Sequence, residues 1–165
     1  MLLVLNEYNV VMSDLTEKIQ PITELLLESD ETQLFTQLGL RAKAIAQDTR
    51  KTSDFDLKVI YVEAEMGVLD DIINFGKSIF KRLNIVAYNL ICGSDADMQK
   101  EREELVKSIG LSLATATATL SALLVTHIGL APAIATVVAT LVIKSFYRPG
   151  LDELCQRWKD SFNNE

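Results

Sequence analysis

The feature that most constrains the fold is a stretch of 36 residues, Ser108 to Ile143, that contains no Asp, Glu, Lys or Arg. His127 is its only titratable side chain. Gly129 and Pro132 interrupt the stretch, which therefore predicts two apolar helices joined by a break. Because a helix that is apolar on every side must be buried in protein or in lipid, we expect these helices to lie at the centre of the molecule or in a membrane.

Small residues recur at every fourth position in both apolar helices, which places them in a row along one face of each helix. The rows consist of Ala114, Ala118 and Ala122 in the first helix and Ala131, Ala135 and Ala139 in the second. Rows of this kind let two helix backbones approach closely, in soluble bundles and in membranes alike. We predict that they form the seam of an Ala/Thr-rich helical hairpin covering residues 108–147.

Different residues favour the two environments in which this hairpin could be buried. Lys107 precedes it, and Lys144 and Arg148 lie at its end, so a membrane hairpin would keep its basic flanks on one side, as the positive-inside rule requires. In contrast, six threonines and His127 dilute the hydrophobicity to a borderline value for membrane insertion. The sequence leaves both alternatives open, with burial in protein favoured.

The N-terminal segment has the spacing of a helix that packs along a long partner. Its apolar residues follow one another at intervals of 3, 4, 3, 4, 3 and 4 positions, a period typical of coiled coils. This predicted packing or interaction face consists of Leu5, Tyr8, Met12, Leu15, Ile19, Ile22 and Leu26. Pro21 lies within the helix and removes one backbone hydrogen bond, so we expect a kink or a new start near Gln20.

Capping signals and periodicity predict two further amphipathic helices. Ser29–Glu31 suits a helix start, and the helix that follows should run to about Arg50. A third helix is predicted over Tyr61–Leu90 and would be on the order of 50 Å long. Gly67 and Gly76 lie inside this predicted helix, where a glycine is unfavourable, and we expect them to mark close helix contacts.

The predicted fold is a single all-α domain, residues 1–165, built as an elongated bundle of five to six helices. Amphipathic and charged helices occupy residues 1–107, the apolar hairpin occupies 108–147, and a C-terminal amphipathic helix occupies 149–162. We expect the fourth helix to run without interruption from Asp95 to the break at Gly129, and the fifth to cover Pro132 to Tyr147.

The sequence offers little that could carry catalysis. A single histidine excludes the two-histidine zinc motifs and the di-iron motifs of helical bundles. The carboxylates at Glu63, Glu65, Asp70, Asp71, Asp95 and Asp97 are interpreted as solvated or capping residues. No phosphate-binding loop and no nucleophile motif occurs. We therefore predict a protein that is not an enzyme and needs neither a metal nor a cofactor.

Charge and cysteine content narrow the possible partners and the location. A net charge of −7 opposes binding to nucleic acid, whose affinity for proteins depends on Lys and Arg. Cys92 and Cys155 lie 63 positions apart without a metal-binding spacing, and we expect them to be unpaired and inert in a reducing compartment. No basic region precedes the apolar N-terminus, so a secretory signal is not expected. The predicted location is the cytoplasm, or the cytoplasmic side of a membrane.

Two functions are consistent with these features. The first is a helical bundle that acts through protein–protein interaction or oligomerisation, because a heptad face is present and catalytic groups are absent. The second is a membrane-associated or membrane-inserting effector of the pore-forming type, in which the hairpin of residues 108–147 enters lipid. The expected partner is accordingly another protein or a second copy of the chain, with a membrane as the alternative.

Overall fold

The computed structural model describes residues 2–59, 61, 62, 67–148 and 150–163, and these residues form helices and connecting segments without a strand. This confirms the all-α class. These residues form seven α-helices rather than the five or six predicted. They are α1 (Leu2–Leu27), α2 (Glu31–Gln47), α3 (Leu69–Cys92), α4 (Gln99–Ile109), α5 (Leu113–Leu123), α6 (Pro132–Phe146) and α7 (Leu151–Asn163). Leu124–Ile128 extends α5 by a π-helical turn, and two 3-10 segments cover Thr49–Ser53 and Ala96–Met98.

The prediction of one continuous helix from Asp95 to Gly129 is wrong. α4 ends at Ile109, a turn follows, and Ser112 caps the start of α5. The Ser112 hydroxyl accepts a hydrogen bond from the Thr115 backbone N–H at 3.0 Å, which satisfies a donor that the first turn of a helix leaves unpaired. The first apolar helix therefore begins at Leu113, and residues 108–112 belong to the end of α4 and the turn.

The third helix begins at Leu69 rather than Tyr61. Gly67 has a φ of 83°, a left-handed conformation that residues with a side chain rarely adopt and that a right-handed helix cannot contain. The Tyr61 hydroxyl donates a hydrogen bond to the Gly67 carbonyl. With 24 residues, α3 spans about 36 Å. Residues 63–66 of the predicted helix lie outside the described residues.

Helices α5 and α6, with the π turn between them, form the centre of the bundle and are called here the apolar pair, residues 113–146. They run in opposite directions, since the Tyr147 hydroxyl after α6 donates to the Ile109 carbonyl before α5 at 3.3 Å. Every residue in 116–124 and 132–143 is buried. α1 packs on both helices of the pair, α2 packs on α6, and α4 packs on α5. Among the described residues no single helix is long and apolar enough to cross a membrane, although α6 and α7 together reach that length and composition with a 95° bend between them.

Two glycines, Gly39 in α2 and Gly76 in α3, allow these helices to pack closely. A methyl group on Gly76 would overlap the Phe35 carbonyl oxygen and lie 3.2 Å from the backbone nitrogen of Gly39. A methyl group on Gly39 would in turn overlap the Ile72 carbonyl oxygen. The prediction of a close helix contact is confirmed for Gly76, because only residues without a side chain permit backbones to come this near. It is wrong for Gly67, where an added methyl group would meet nothing within 4 Å among the described residues.

The expectation that the two cysteines are unpaired is wrong. Cys92 at the end of α3 and Cys155 in α7 form a disulfide, with their Cα atoms 5.7 Å apart. The pairing follows from how α7 docks: Trp158 is fully buried, and its indole N–H donates to the Asn84 side-chain oxygen of α3 at 2.7 Å. Disulfides are typical of oxidising compartments, so this bond argues against the reducing environment inferred from the spacing of the cysteines.

Candidate interaction site

Of the helices that pack on the apolar pair, α1 makes the most extensive contact, and it runs antiparallel to α5. Ile19 clusters with Ala118 and Ala122, while the Thr126 hydroxyl at the far end of the pair donates to the Met12 sulfur at 3.5 Å. At the other end, the Lys144 ammonium of α6 donates to the carbonyl oxygens of Leu27, at 3.1 Å, and Ser29. A cation near the last carbonyls of a helix stabilises that end. α1 is thus held along its middle, from Met12 to Ile19, and at its C-terminal end.

The structure places the predicted heptad face of α1 partly inside the molecule. Ile19 is completely buried and Leu26 nearly so, whereas Met12, Leu15 and Ile22 are half-buried at the edges of the contact. The side chains of Leu5 and Tyr8 lie outside the described part of the chain. This face therefore contacts the protein's own apolar pair. α1 also carries exposed apolar side chains that the heptad analysis missed, namely Val10, Val11 and Leu25, of which Leu25 is 69% exposed.

The two alanine rows are mostly buried, but they do not face only one another. Ala118, Ala122, Ala135 and Ala139 are fully buried. Ala114 and Ala131, at the ends of the two rows, are partly exposed. In α5 the buried part of the row receives Ile19 of α1, so the small side chains there admit a third helix as well as supporting the pair.

Hydroxyl groups inside the apolar pair are satisfied within their own helices. Thr117 donates to the Leu113 carbonyl at 2.7 Å, Ser121 to the Thr117 carbonyl at 2.8 Å, and Thr140 to the Thr136 carbonyl at 2.7 Å. Buried hydroxyls require a partner, and a carbonyl one turn earlier supplies it without another helix. The threonines that dilute the hydrophobicity of the sequence therefore leave the outer surface of the pair apolar.

Arg41 of α2 is a buried cation that sequence analysis did not single out. Its guanidinium donates to the Ala133 carbonyl at 3.0 Å and to the Thr136 hydroxyl at 3.3 Å, in the first turns of α6. Burial lowers the pKa of Arg41, and the charge of Asp56 partly opposes this effect. Its position in a Leu-Arg-Ala stretch of an amphipathic helix did not indicate that it is buried, because arginines on such helices are usually exposed.

Glu101 and His127 form a second polar contact at the tip of the apolar pair. The Nε2 atom of His127 lies 3.6 Å from one carboxylate oxygen of Glu101. Glu101 is only 8% exposed, and its other oxygen is buried without a hydrogen-bond partner among the described residues. His127 lies in the π turn before Gly129. Two groups can exchange a proton, but they are too few to ligate a metal on their own.

The other carboxylates that the sequence analysis considered are solvent-exposed or cap a helix where they are described. Asp70 and Asp71 are exposed in the first turn of α3, and the Asp95 side chain accepts from the Asp97 backbone N–H at 3.0 Å as a cap. Glu63 and Glu65 lie outside the described residues. Within the described ranges, no three His, Cys, Asp or Glu side chains come together in a way that could hold a metal ion.

Comparison of the chain with family models, with curated proteins and with solved structures finds no match.

Proposed function

We propose that this protein is a non-enzymatic helical bundle that acts through protein–protein interaction, and that its partner is a second copy of the chain. In this proposal α1 is the interacting element. The observation that carries it is the position of α1, which packs Ile19 of its heptad face against Ala118 and Ala122 of α5 and also contacts α6. An amphipathic helix in an apolar groove is a common recognition mode between proteins.

The connection between α1 and α2 supports an exchange of α1 between copies. It consists only of Glu28, Ser29 and Asp30, and the main contacts of α1 are with α5 and α6 rather than with its sequence neighbour α2. A helix that docks on a distant part of the chain through a short connection can dock on another copy with the same contacts. Such an exchange produces a dimer without any new interface.

The test is light scattering after size exclusion, over a range of protein concentrations. The proposal predicts a dimer in the wild-type chain and a shift toward monomer when Gly-Ser-Gly is inserted after Glu28. A longer connection removes the constraint that a short hinge places on the closed monomer, in which α1 packs on its own apolar pair as in the structure. Leu25→Asp on the exposed face of α1 serves as the matched control and should leave the dimer intact. A wild-type chain that is monomeric at every concentration, or a dimer lost in Leu25→Asp alone, would refute the exchange.

A second candidate function, insertion of the apolar pair into lipid, is favoured by one specific observation. Residues 113–143 of the pair carry no fixed charge, and the buried hydroxyls of Ser121 and Thr140 bond within their own helices, so leaving the bundle would orphan few polar groups. Leu111→Lys with Leu113→Lys tests it, because both residues are exposed, at 76% and 44%, and the folded bundle should tolerate the change. Leakage from anionic liposomes that disappears in this variant but persists in Leu25→Lys would support insertion; no leakage from the wild type would exclude it.

The cytoplasmic location expected from the sequence stays a prediction. Trapping free thiols in intact cells tests it directly, since a cytoplasmic protein should present Cys92 and Cys155 as thiols. A pair that resists the thiol reagent until it is reduced would place the protein in an oxidising compartment.

A further inference from the structure

A cleft of about 350 Å³ lies where α2, α3 and α7 meet. Its apolar walls include the rings of Phe35, Phe80 and Phe162, one from each of the three helices. The rings of Phe35 and Phe80 meet edge to face with their centres 5.7 Å apart. A volume of this size is at the lower end of the range found for small-molecule sites.

Two lysines on α3 line the same cleft. Lys77 and Lys81 are one helical turn apart, and the Lys77 ammonium lies 5.8 Å from the centre of the Phe35 ring. Among the described residues, neither lysine forms a salt bridge with a carboxylate. Among the described residues, Glu31 is the only acidic one in the lining, so this part of the cleft carries a local excess of positive charge in a protein whose net charge is −7.

Asn84 contributes hydrogen-bond donors to the cleft. It is 8% exposed and follows Lys81 by one turn of α3. Its side-chain oxygen faces the indole N–H of Trp158, at 2.7 Å, and because an indole nitrogen only donates, this contact fixes the orientation of the amide. The amide NH₂ therefore points away from Trp158, and it donates to no acceptor in the part of the chain that is described. Asn84 lines the cleft, so this donor is available to a ligand bound there.

We propose that this cleft binds a small amphipathic carboxylate, either an aryl carboxylate or a short alkyl carboxylate. Its carboxylate oxygens would accept from Lys77, Lys81 and the Asn84 amide, while its apolar part would lie against the phenyl rings. A single negative charge suits the site better than two, because Glu31 would repel a doubly charged phosphate. The inference is independent of the self-association proposed above.

Phenylbutyrate is a suitable ligand for the test, with phenylbutanol and phenylbutylamine as neutral and cationic counterparts of the same shape. Trp158 is the only tryptophan, so its indole N–H gives a single NMR signal next to Asn84. We expect that signal to move on titration of phenylbutyrate, with a Kd on the order of 1 mM for a ligand of this size. The alcohol should bind more weakly and the amine not at all.

Variants of the lysines separate this site from non-specific binding. Lys77→Gln with Lys81→Gln should weaken phenylbutyrate binding about tenfold, since each exposed charge pair contributes roughly a factor of three. The matched control, Lys18→Gln with Lys107→Gln, removes the same charge from salt bridges elsewhere on the surface and should bind as the wild type does. Asn84→Asp keeps an acceptor for Trp158 but adds a negative charge, and should abolish binding. An alcohol that binds as tightly as the carboxylate, equal binding by the two lysine double variants, or an indole signal that does not move would each overturn the proposal.

Discussion

Replacing Gly76 with alanine tests the glycine contact between α2 and α3, and its expected effect runs opposite to helix propensity. Alanine is the better helix former, by about 1 kcal/mol, and Gly76 lies well inside α3. On propensity alone, Gly76→Ala should stabilise the protein. However, the added methyl group would overlap the Phe35 carbonyl oxygen and lie 3.0 Å from its carbon, and neither backbone atom can rotate away.

The size of the effect follows from how far the helices must separate. Carbon atoms in contact lie roughly 3.5–4.0 Å apart, so α2 and α3 would have to move apart by about 1 Å. A gap of that size removes a quarter to a half of the attraction between the facing side chains, and overpacking in a core typically costs about 1–3 kcal/mol and sometimes more. Because the clashing atoms belong to the backbone, we place the cost at the upper end, about 3 kcal/mol. After the propensity gain of about 1 kcal/mol, we expect Gly76→Ala to lower the free energy of unfolding by about 2 kcal/mol.

Urea denaturation followed by far-UV circular dichroism measures this difference. Gly110→Ala is the matched control, because Gly110 has a φ of −70° and a methyl group there would meet its nearest neighbour, the Lys107 carbonyl oxygen, at an ordinary 3.5 Å. The control should be neutral or more stable by up to about 1 kcal/mol. If Gly76→Ala proves as stable as Gly110→Ala, α2 and α3 do not approach each other as described.

Three further changes have expected outcomes in the same assay. Replacing Cys92 and Cys155 with serine should cost about 4 kcal/mol, because the disulfide closes a loop across 63 positions, and a wild-type chain whose stability does not change on reduction would contradict this. Trp158→Phe should cost roughly 2–4 kcal/mol, since it leaves the Asn84 oxygen buried without its donor, and a loss below about 1 kcal/mol would show that this hydrogen bond is not made. Arg41→Ala should cost roughly 2–4 kcal/mol through the cavity it creates, whereas Arg41→Met, which fills the space and removes a buried charge, should cost less than about 1 kcal/mol; equal losses would refute that distinction.

Local signals in the sequence predicted several elements correctly. The all-α class follows from apolar residues repeating at helical spacing, and the start of α2 follows from Asp30, whose carboxylate accepts from the Gln33 backbone N–H at 2.8 Å. Pro132 begins α6 because a proline in the first turn loses no helical hydrogen bond. These features depend on a few neighbouring residues, so they can be predicted from a short stretch of sequence.

Features that depend on distant parts of the chain were not predictable in the same way. The heptad face of α1 could be seen, but its partner could not, and Ile19 turned out to contact the alanines of α5. The pairing of Cys92 with Cys155 depends on where Trp158 anchors α7, a tertiary contact that spacing does not reveal. The end of α4 could have been predicted, because Gly110 is a residue type that ends helices and Ser112, two positions later, is one that caps the next helix. The long apolar run that follows hid this boundary between the two helices. 

Hydrogen exchange with mass spectrometry on the full chain, in buffer without detergent, is the most direct test of the central claim that the apolar pair is a protein core covered by an exchangeable α1. The account predicts the slowest exchange in residues 116–124 and 132–143, where every residue is buried, and measurably faster exchange in α1. Rapid exchange throughout residues 113–146 would contradict it, because it would mean that the apolar pair does not form a stable core in the folded protein.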